Sequence, residues 1–149
     1  MATVGDLLAK KDSHVHRISP TATVLEATQV MNHHKIGALV VTVQGDDGER
    51  AVGMFTERDV LTRIVAAQRD PSTTLVEEVM SADIAYCTPE MEVDEVGAIM
   101  RERRVRHIPV CVSHGHLIGL ISIGDINAFH ADGQAAAIHY LNEYIHGRV

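Results

Sequence analysis

One pattern is used twice along this chain, and that repeat limits the fold more than any other feature. The stretch "GMFTERDV", Gly53 to Val60, returns as "GLISIGDI", Gly119 to Ile126. In both, a glycine opens a short apolar run, a hydroxyl residue follows three positions on, and an aspartate three after that. Upstream, "ISPTATVLEATQVMNHHKIGALVV" lies over "CTPEMEVDEVGAIMRERRVRHIPV" at one constant spacing. Pro20 falls on Pro89, Val24 on Val93, Met31 on Met100, Ile36 on Val105 and Val41 on Val110. The spacing then shortens by three residues before the motif. The loss belongs in a surface turn, where "QGDDGER" in the first copy faces "SHGH" in the second.

Each copy predicts the order strand, helix, strand, strand, helix. A short strand runs into Ser19-Pro20 or Thr88-Pro89. A helix follows with Val24, Ala27, Val30 and Met31 at helical spacing, matched by Val93, Val96, Ile99 and Met100. "GALVVTV" and "AVGMF" then form a hairpin, matched by "HIPVCV" and "HLIGLIS", and Thr56 or Ser122 opens the second helix. Hydrophobic residues make up 46% of the 149 residues, but aromatics only 3% and Trp is absent, so the core is aliphatic. A β unit covered by helices on one face must bury the other, so two β-α-β-β-α units are expected to pack sheet to sheet in an α/β fold of the α+β type. The units are drawn at 1–70 and 71–130, the first with an N-terminal helix. "TVGDLL" near the start echoes "LVEEVM" at Leu75 to Met80, each as an amphipathic turn leading into its unit. Residues 131–149 form a further helix with Ile138, Leu141 and Ile145 on one face and Gly147 as its stop. That helix packs on its own module or serves as a dimer element.

The Thr/Ser-x-x-Asp motif admits two readings. A hydroxyl at an N-cap accepts from the N3 amide and an acid three residues later suits the positive helix end, so Thr56/Asp59 and Ser122/Asp125 can be capping boxes. The same hydroxyl and carboxylate, beside free helix amides, can hold the hydroxyls of a ribose and approach its phosphate. The residues alone leave both readings open.

The doubled Ser/Thr-Pro entry, the hydrophobic spacing and the Gly-x-x-Thr/Ser-x-x-Asp exit together resemble the tandem CBS-domain proteins, also called Bateman modules, from about Val4 to Phe129. The resemblance implies pseudo-twofold packing with two clefts that bind adenosine-containing molecules, each cleft crossed between the repeats. One would combine Thr56, Arg58 and Asp59 with Thr88, Val93, Arg106, His107 and Ile108. The other would combine Ser122, Gly124 and Asp125 with Ser19, Val24, Gly37 and Ala38. By pseudo-symmetry Arg58 pairs with Gly124, Arg106 with Gly37 and His107 with Ala38, so the cations gather in the Asp59 cleft. That cleft is expected to favour phosphate-rich ligands, strengthened by protonated His107, and the Asp125 cleft to favour adenosine. The implied ligand is a reversible adenine nucleotide, AMP foremost, with ADP, ATP and NAD(H) as alternatives; no covalent cofactor is implied. The implied role is that of a standalone regulatory module, a homodimer acting on an effector protein that the sequence does not name.

Other features narrow the function classes. The formal net charge of −7 repels nucleic acid. "MATVGDLLAKKD" lacks the apolar core of a signal peptide and no apolar run has the length of a membrane span, which reads as a cytoplasmic chain. Cys87 and Cys111 sit in apolar strand contexts as buried small residues. The ten histidines include His14/His16 and His114/His116, yet no Asp, Glu or Cys completes either pair at metal spacing, so no metal site is assigned. His33 and His34 suit the negative end of the first helix, and Arg101, Arg103 and Arg104 read as solvated helix-end cations. No nucleophile with a paired base, P-loop or acid pair indicates an enzyme. The competing readings are a metal-binding or catalytic protein using the histidines and Glu57, and a purely structural dimerisation module.

Overall fold

The computed structural model describes residues 1–11 and 14–145. Helix α1 (Val4–Lys10) starts in a capping box, with Thr3 Oγ1 accepting from the Asp6 amide and Asp6 accepting from the Thr3 amide. The first unit then runs β1 (Arg17–Ile18), α2 (Val24–His34), β2 (Ala38–Gly45), β3 (Gly48–Thr56) and α3 (Glu57–Asp59), which continues as a π-helical stretch over Val60–Val65. After α4 (Val76–Val79), the second unit runs α5 (Val93–Arg103), β4 (His107–Val112), β5 (His116–Ser122) and α6 (Ile123–Ile145). The strand expected before α5 is a single parallel bridge, Cys87 to Val110.

The repeat is visible in backbone detail. Helices α2 and α5 bury Val24, Ala27 and Met31, and Val93, Val96 and Met100. Each ends on a left-handed basic residue, Lys35 and Arg104, both at φ 56°, which reverses the chain into the next strand. Hairpins β2–β3 and β4–β5 carry equivalent irregularities at Val41/Thr42 and Val110/Cys111. Their turns differ as the spacing predicts: Gly48 takes φ 109° in the first, His114 and Gly115 take 62° and 76° in the second.

Three apolar clusters follow. Phe55, Leu39, Val41 and Ile64 pack on α2 in the first unit, and Ile108, Val110, Ile121 and Ile126 pack on α5 in the second. The third lies between the units, where Ala38, Val40, Ala51 and Met54 meet Cys111, Leu117 and Leu120. The sheets therefore bury their inner faces on each other, as the repeat demands, and a single pair, Arg50 opposite His116, joins them in the order β1-β2-β3-β5-β4.

The entry helices are exchanged between the units in packing. Val4 and Leu7 of α1 belong to the second unit's core, and Val76 and Val79 of α4 belong to the first. The hydrogen bonds are matched pair by pair. Val4 N donates to Met91 O and Gly5 N to Pro89 O, while Val76 N donates to Ala22 O and Glu77 N to Pro20 O. Each Ser/Thr-Pro segment thus docks the other copy's leading helix, and α2 and α5 begin four residues beyond the prolines. The N-terminal helix, drawn with the first unit, packs as a covering element on the core of the second. Nor is the C-terminal segment a separate helix: α6 runs unbroken from the second motif to Ile145. The Gly147 stop lies outside the described residues.

This docking explains the motif glycines. A Cβ on Gly53 would lie 2.8 Å from Ser81 O and from Met80 Sδ, and a Cβ on Gly119 would lie 2.9 Å from Leu8 Cδ2. Ser81 is held there by reciprocal backbone hydrogen bonds with Met54, each 2.9 Å. Gly53→Ala is therefore expected to lose about 1 to 3 kcal/mol in urea unfolding, Gly119→Ala less because the Leu8 tip can turn away, and Gly124→Ala almost nothing, its nearest neighbour being 3.5 Å off. Equal stability of the Gly53 and Gly124 variants would refute the close-approach explanation.

Candidate functional site

Both motifs form capping boxes, each at the junction of a strand and a helix. Asp59 Oδ2 accepts from the Thr56 amide at 2.9 Å and from the Thr56 hydroxyl at 3.2 Å, and the Asp59 amide donates back to Thr56 Oγ1. Asp125 Oδ2 accepts from the Ser122 amide at 2.9 Å, and the Asp125 amide donates to Ser122 Oγ at 3.0 Å. Each helix start is also tied to its own unit's middle strand, by Glu57 N to Gly37 O and Ile123 N to Arg106 O. Asp59 is only 5% exposed, with Arg63 Nε 3.7 Å from its Oδ1.

A cleft of about 1160 Å³ opens beside Asp59, large enough for a nucleotide. It brings together Thr56, Arg58, Asp59, Arg106 and His107, as the resemblance implies for one crossed cleft. Gly37 lines this cleft too, with Glu57 covering it: a Cβ there would lie 3.1 Å from the Glu57 carboxyl carbon. The resemblance sets it in the other cleft, beside Ser122. Arg103 and Arg104, read from sequence as solvated, also line the cleft, as do Lys35 and Asp83. Arg103 bonds the Asp83 carbonyl at 3.0 Å. Five cations therefore face three carboxylates, those of Glu57, Asp59 and Asp83, and a chain of net negative charge turns a cationic wall inward.

The remaining expected contacts lie elsewhere. Val24, Val93 and Ile108 are buried in the two helix-covered cores, and Ala38 lies between the sheets, because the inward face of each strand or helix is spent on packing. Thr88 is exposed and its amide points to Met91 Sδ. Ser19 lines a shallow depression of about 400 Å³ with Arg17, Pro20 and Thr42. Ser122, Gly124 and Asp125 do not line the large cleft.

His107 stands between the motifs. Burial first, then the neighbouring Arg106, lowers its pKa below the ordinary histidine value, while Asp125 and Glu57 act in the opposite sense. It is thus a neutral hydrogen-bonding group at pH 7, and the expected phosphate-assisting charge is deferred to more acid conditions. Asp125 has a partner that sequence reasoning missed: Lys11 Nζ donates to Asp125 Oδ2 and to Leu120 O, both at 2.6 Å. Burial would raise the Asp125 carboxyl, but the Lys11 and Ser122 hydrogen bonds together hold it below its usual value. The available signal was the echo of "TVGDLL" in "LVEEVM", which sets Lys11 over Asp83.

The histidine pairs do meet. His14, His16, His34 and His33 lie in series at ring separations of 4.5, 4.1 and 4.9 Å, the first and last contacts edge to face and the middle one tilted. Among the described residues, however, no group of three or more His, Cys, Asp or Glu is arranged to hold a metal ion. Both cysteines are buried, which pushes the Cys87 thiol up to about 12 and the Cys111 thiol up to about 11, so neither is a nucleophile at neutral pH.

The CBS domain model matches residues 4–66 and 76–131. A mitochondrial CBS domain-containing protein of Arabidopsis thaliana is 35% identical over 127 residues, which cover 84% of this chain and 61% of that protein, so the chain spans about three fifths of that relative's length. A signal-transduction protein with CBS domains from Burkholderia ambifaria superposes with a TM-score of 0.76 at 39% identity, over 84% of this chain and 90% of that one. At 19% identity, where the likeness concerns the fold alone, a CBS domain pair in complex with 5'-methylthioadenosine and S-adenosylmethionine superposes with a TM-score of 0.73, over 89% and 98% of the two chains. Two matched units, two capped Thr/Ser-x-x-Asp motifs and inner sheet faces buried on each other lead to one statement: this chain belongs to the CBS-domain family, as a tandem pair.

Proposed function

We propose that the protein is a regulatory, non-catalytic sensor of adenine nucleotides, with AMP, ADP, ATP or NAD(H) bound in the large cleft. The observation that carries this reading is the pairing, across one cleft, of the buried Asp59 carboxylate with Arg58, Arg103, Arg104 and Arg106. A carboxylate accepts two ribose hydroxyls, and guanidinium groups match the oxygens of a phosphate. A neutral His107 can hydrogen-bond a base. The related fold that holds two adenosine compounds supports the ligand class. The metal-binding and catalytic alternatives gain no support from the neighbouring histidines or from Glu57, whose carboxyl covers Gly37.

Calorimetry with AMP, ATP and NAD(H) tests the reading. Losing the charge-assisted ribose contact in Asp59→Asn is expected to weaken binding by about 1.5 to 3 kcal/mol, roughly ten- to hundredfold, while Arg106→Ala should reduce both the affinity and its salt dependence. Retained affinity in an Asp59→Asn, Asp125→Asn double variant would leave helix capping as the motifs' whole role.

His107 and His16 predict the pH response of the free protein. Burial is the main cause of lowering at both, with Arg106 contributing at His107 and His34 and His14 at His16. The unfolded chain then binds more protons than the folded one as pH falls through about 6.5. The melting temperature is therefore expected to drop between pH 7 and pH 5.5, and His16→Gln with His107→Gln should flatten that slope. An unchanged slope would show that neither imidazole is held neutral by the fold.

We further propose a homodimer that passes the cleft's state to an effector protein. Leu61 and Val65 after the first motif are each 63% exposed, and Ile138 and Leu141 on α6 are 59% and 54% exposed, large apolar groups on the helices that leave the two motifs. Light scattering should give twice the 16.3 kDa chain mass, reduced by Leu61→Glu with Val65→Glu. A concentration-independent monomer would overturn the dimer.

A further inference from the structure

The pseudo-symmetry that relates the motifs breaks at one point. In the first unit the chain leaving α4 lies along β3, with the Ser81 amide donating to Met54 O, and passes Asp83 into the large cleft. In the second unit the matching carbonyl is Leu120 O, and the chain leaving α1 meets it with a side chain, the Lys11 ammonium. The same ammonium reaches Asp125 Oδ2, the oxygen that also takes the Ser122 amide. Both partners of this ion pair are three-quarters enclosed, each side chain being 25% exposed. The two aspartates thus stand in opposite settings. Asp59, with 8% of its side chain exposed, has an acid, Asp83, at the symmetry-related position and Arg63 Nε at 3.7 Å, whereas Asp125, with 25% exposed, has the Lys11 ammonium at 2.6 Å.

Extending the nucleotide reading above to the second motif, we propose that Lys11 selects the ligand that the family resemblance implies at Asp125: in the free chain its ammonium fills the place that ligand hydroxyls would take, and only an anionic ligand can draw it away. A neutral nucleoside that binds Asp125 must break the Lys11 contact and leaves a half-enclosed ammonium with Leu120 O alone, an unfavourable exchange. A ligand with a phosphate offers the ammonium a new charge-assisted partner while its ribose takes Asp125. The second motif is therefore selective for nucleotides over nucleosides, the reverse of the neutral adenosine site expected from the sequence.

The test follows the Ser122 and Asp125 amides of the full-length protein by nitrogen-15 NMR during titration with AMP and with adenosine. In the wild type, AMP is expected to shift both amides and adenosine to leave them in place at the same concentration. Lys11→Met should admit adenosine and lower the AMP-to-adenosine affinity ratio at least about tenfold, the worth of one charge-assisted hydrogen bond, and Lys11→Arg should restore it. Because both affinities come from one sample, partial unfolding of a variant cancels in the ratio. If adenosine shifts these amides as well as AMP does in the wild type, or if the ratio changes less than about twofold in Lys11→Met while nucleotides still bind, the selection by Lys11 is overturned and the sensor reading stands. If no nucleotide moves either motif in any of the proteins, the sensor reading falls and this proposal falls with it.

Discussion

Burial of the two inner sheet faces on each other is the constraint from which the rest of the molecule follows. Each unit covers one face of its strands with α2 or α5, and the other face, Val40 and Met54 in one copy and Cys111 and Leu117 in the other, has no helix to cover it. Because apolar burial stabilises by roughly 25 cal/mol per Å², two such faces are far more stable together than in water. The packing also turns like ends of the units toward one another. Strand-to-helix junctions from both copies are thereby brought near His107, which feels Glu57 of one motif and Asp125 of the other.

The exchanged entry helices act as a second tie. Backbone amides of α1 reach carbonyls around Pro89, and those of α4 reach carbonyls around Pro20. A proline carbonyl remains a full acceptor although the residue has lost its donor, so the Ser/Thr-Pro segments serve as docking edges. The motif glycines complete the arrangement, since the chain crossing at Gly53 and the Leu8 side chain at Gly119 leave no space for a Cβ. One repeated sequence word therefore does two jobs. Its glycine admits the other copy's leading segment, and its hydroxyl and aspartate build the helix start that edges the cleft.

Charge placement separates the two copies where backbone does not. Lys35 and Arg104 take the same left-handed conformation at equivalent helix ends and both face the large cleft, yet Arg103, Arg106 and Arg58 correspond to His34, Gly37 and Gly124 in the other copy. At the exits of the leading helices the asymmetry is inverted, with Asp83 in the first cleft and Lys11 over Asp125 in the second. A molecule with twofold packing is thus electrostatically one-sided.

The sequence by itself determined the repeat, the order of elements, the helix caps and the need for two units to share a core, because hydrophobic period, capping chemistry and turn residues are local properties. Thr56, Arg58, Asp59, Arg106 and His107 were legible as one cleft only with the family resemblance added to them. Tertiary structure alone decided the exchange of α1 and α4, since an amphipathic turn carries no record of which core it enters. It decided that the side chains of Val24, Val93, Ile108 and Ala38 pack inward, that Gly37 lies beside Glu57, and that Arg103 and Arg104 line the cleft. The Lys11 contact with Asp125 was invisible for the same physical reason. A salt bridge between residues at opposite ends of a chain depends on distance in space, and nothing in the spacing of residues along the chain encodes that distance until the sheets have closed.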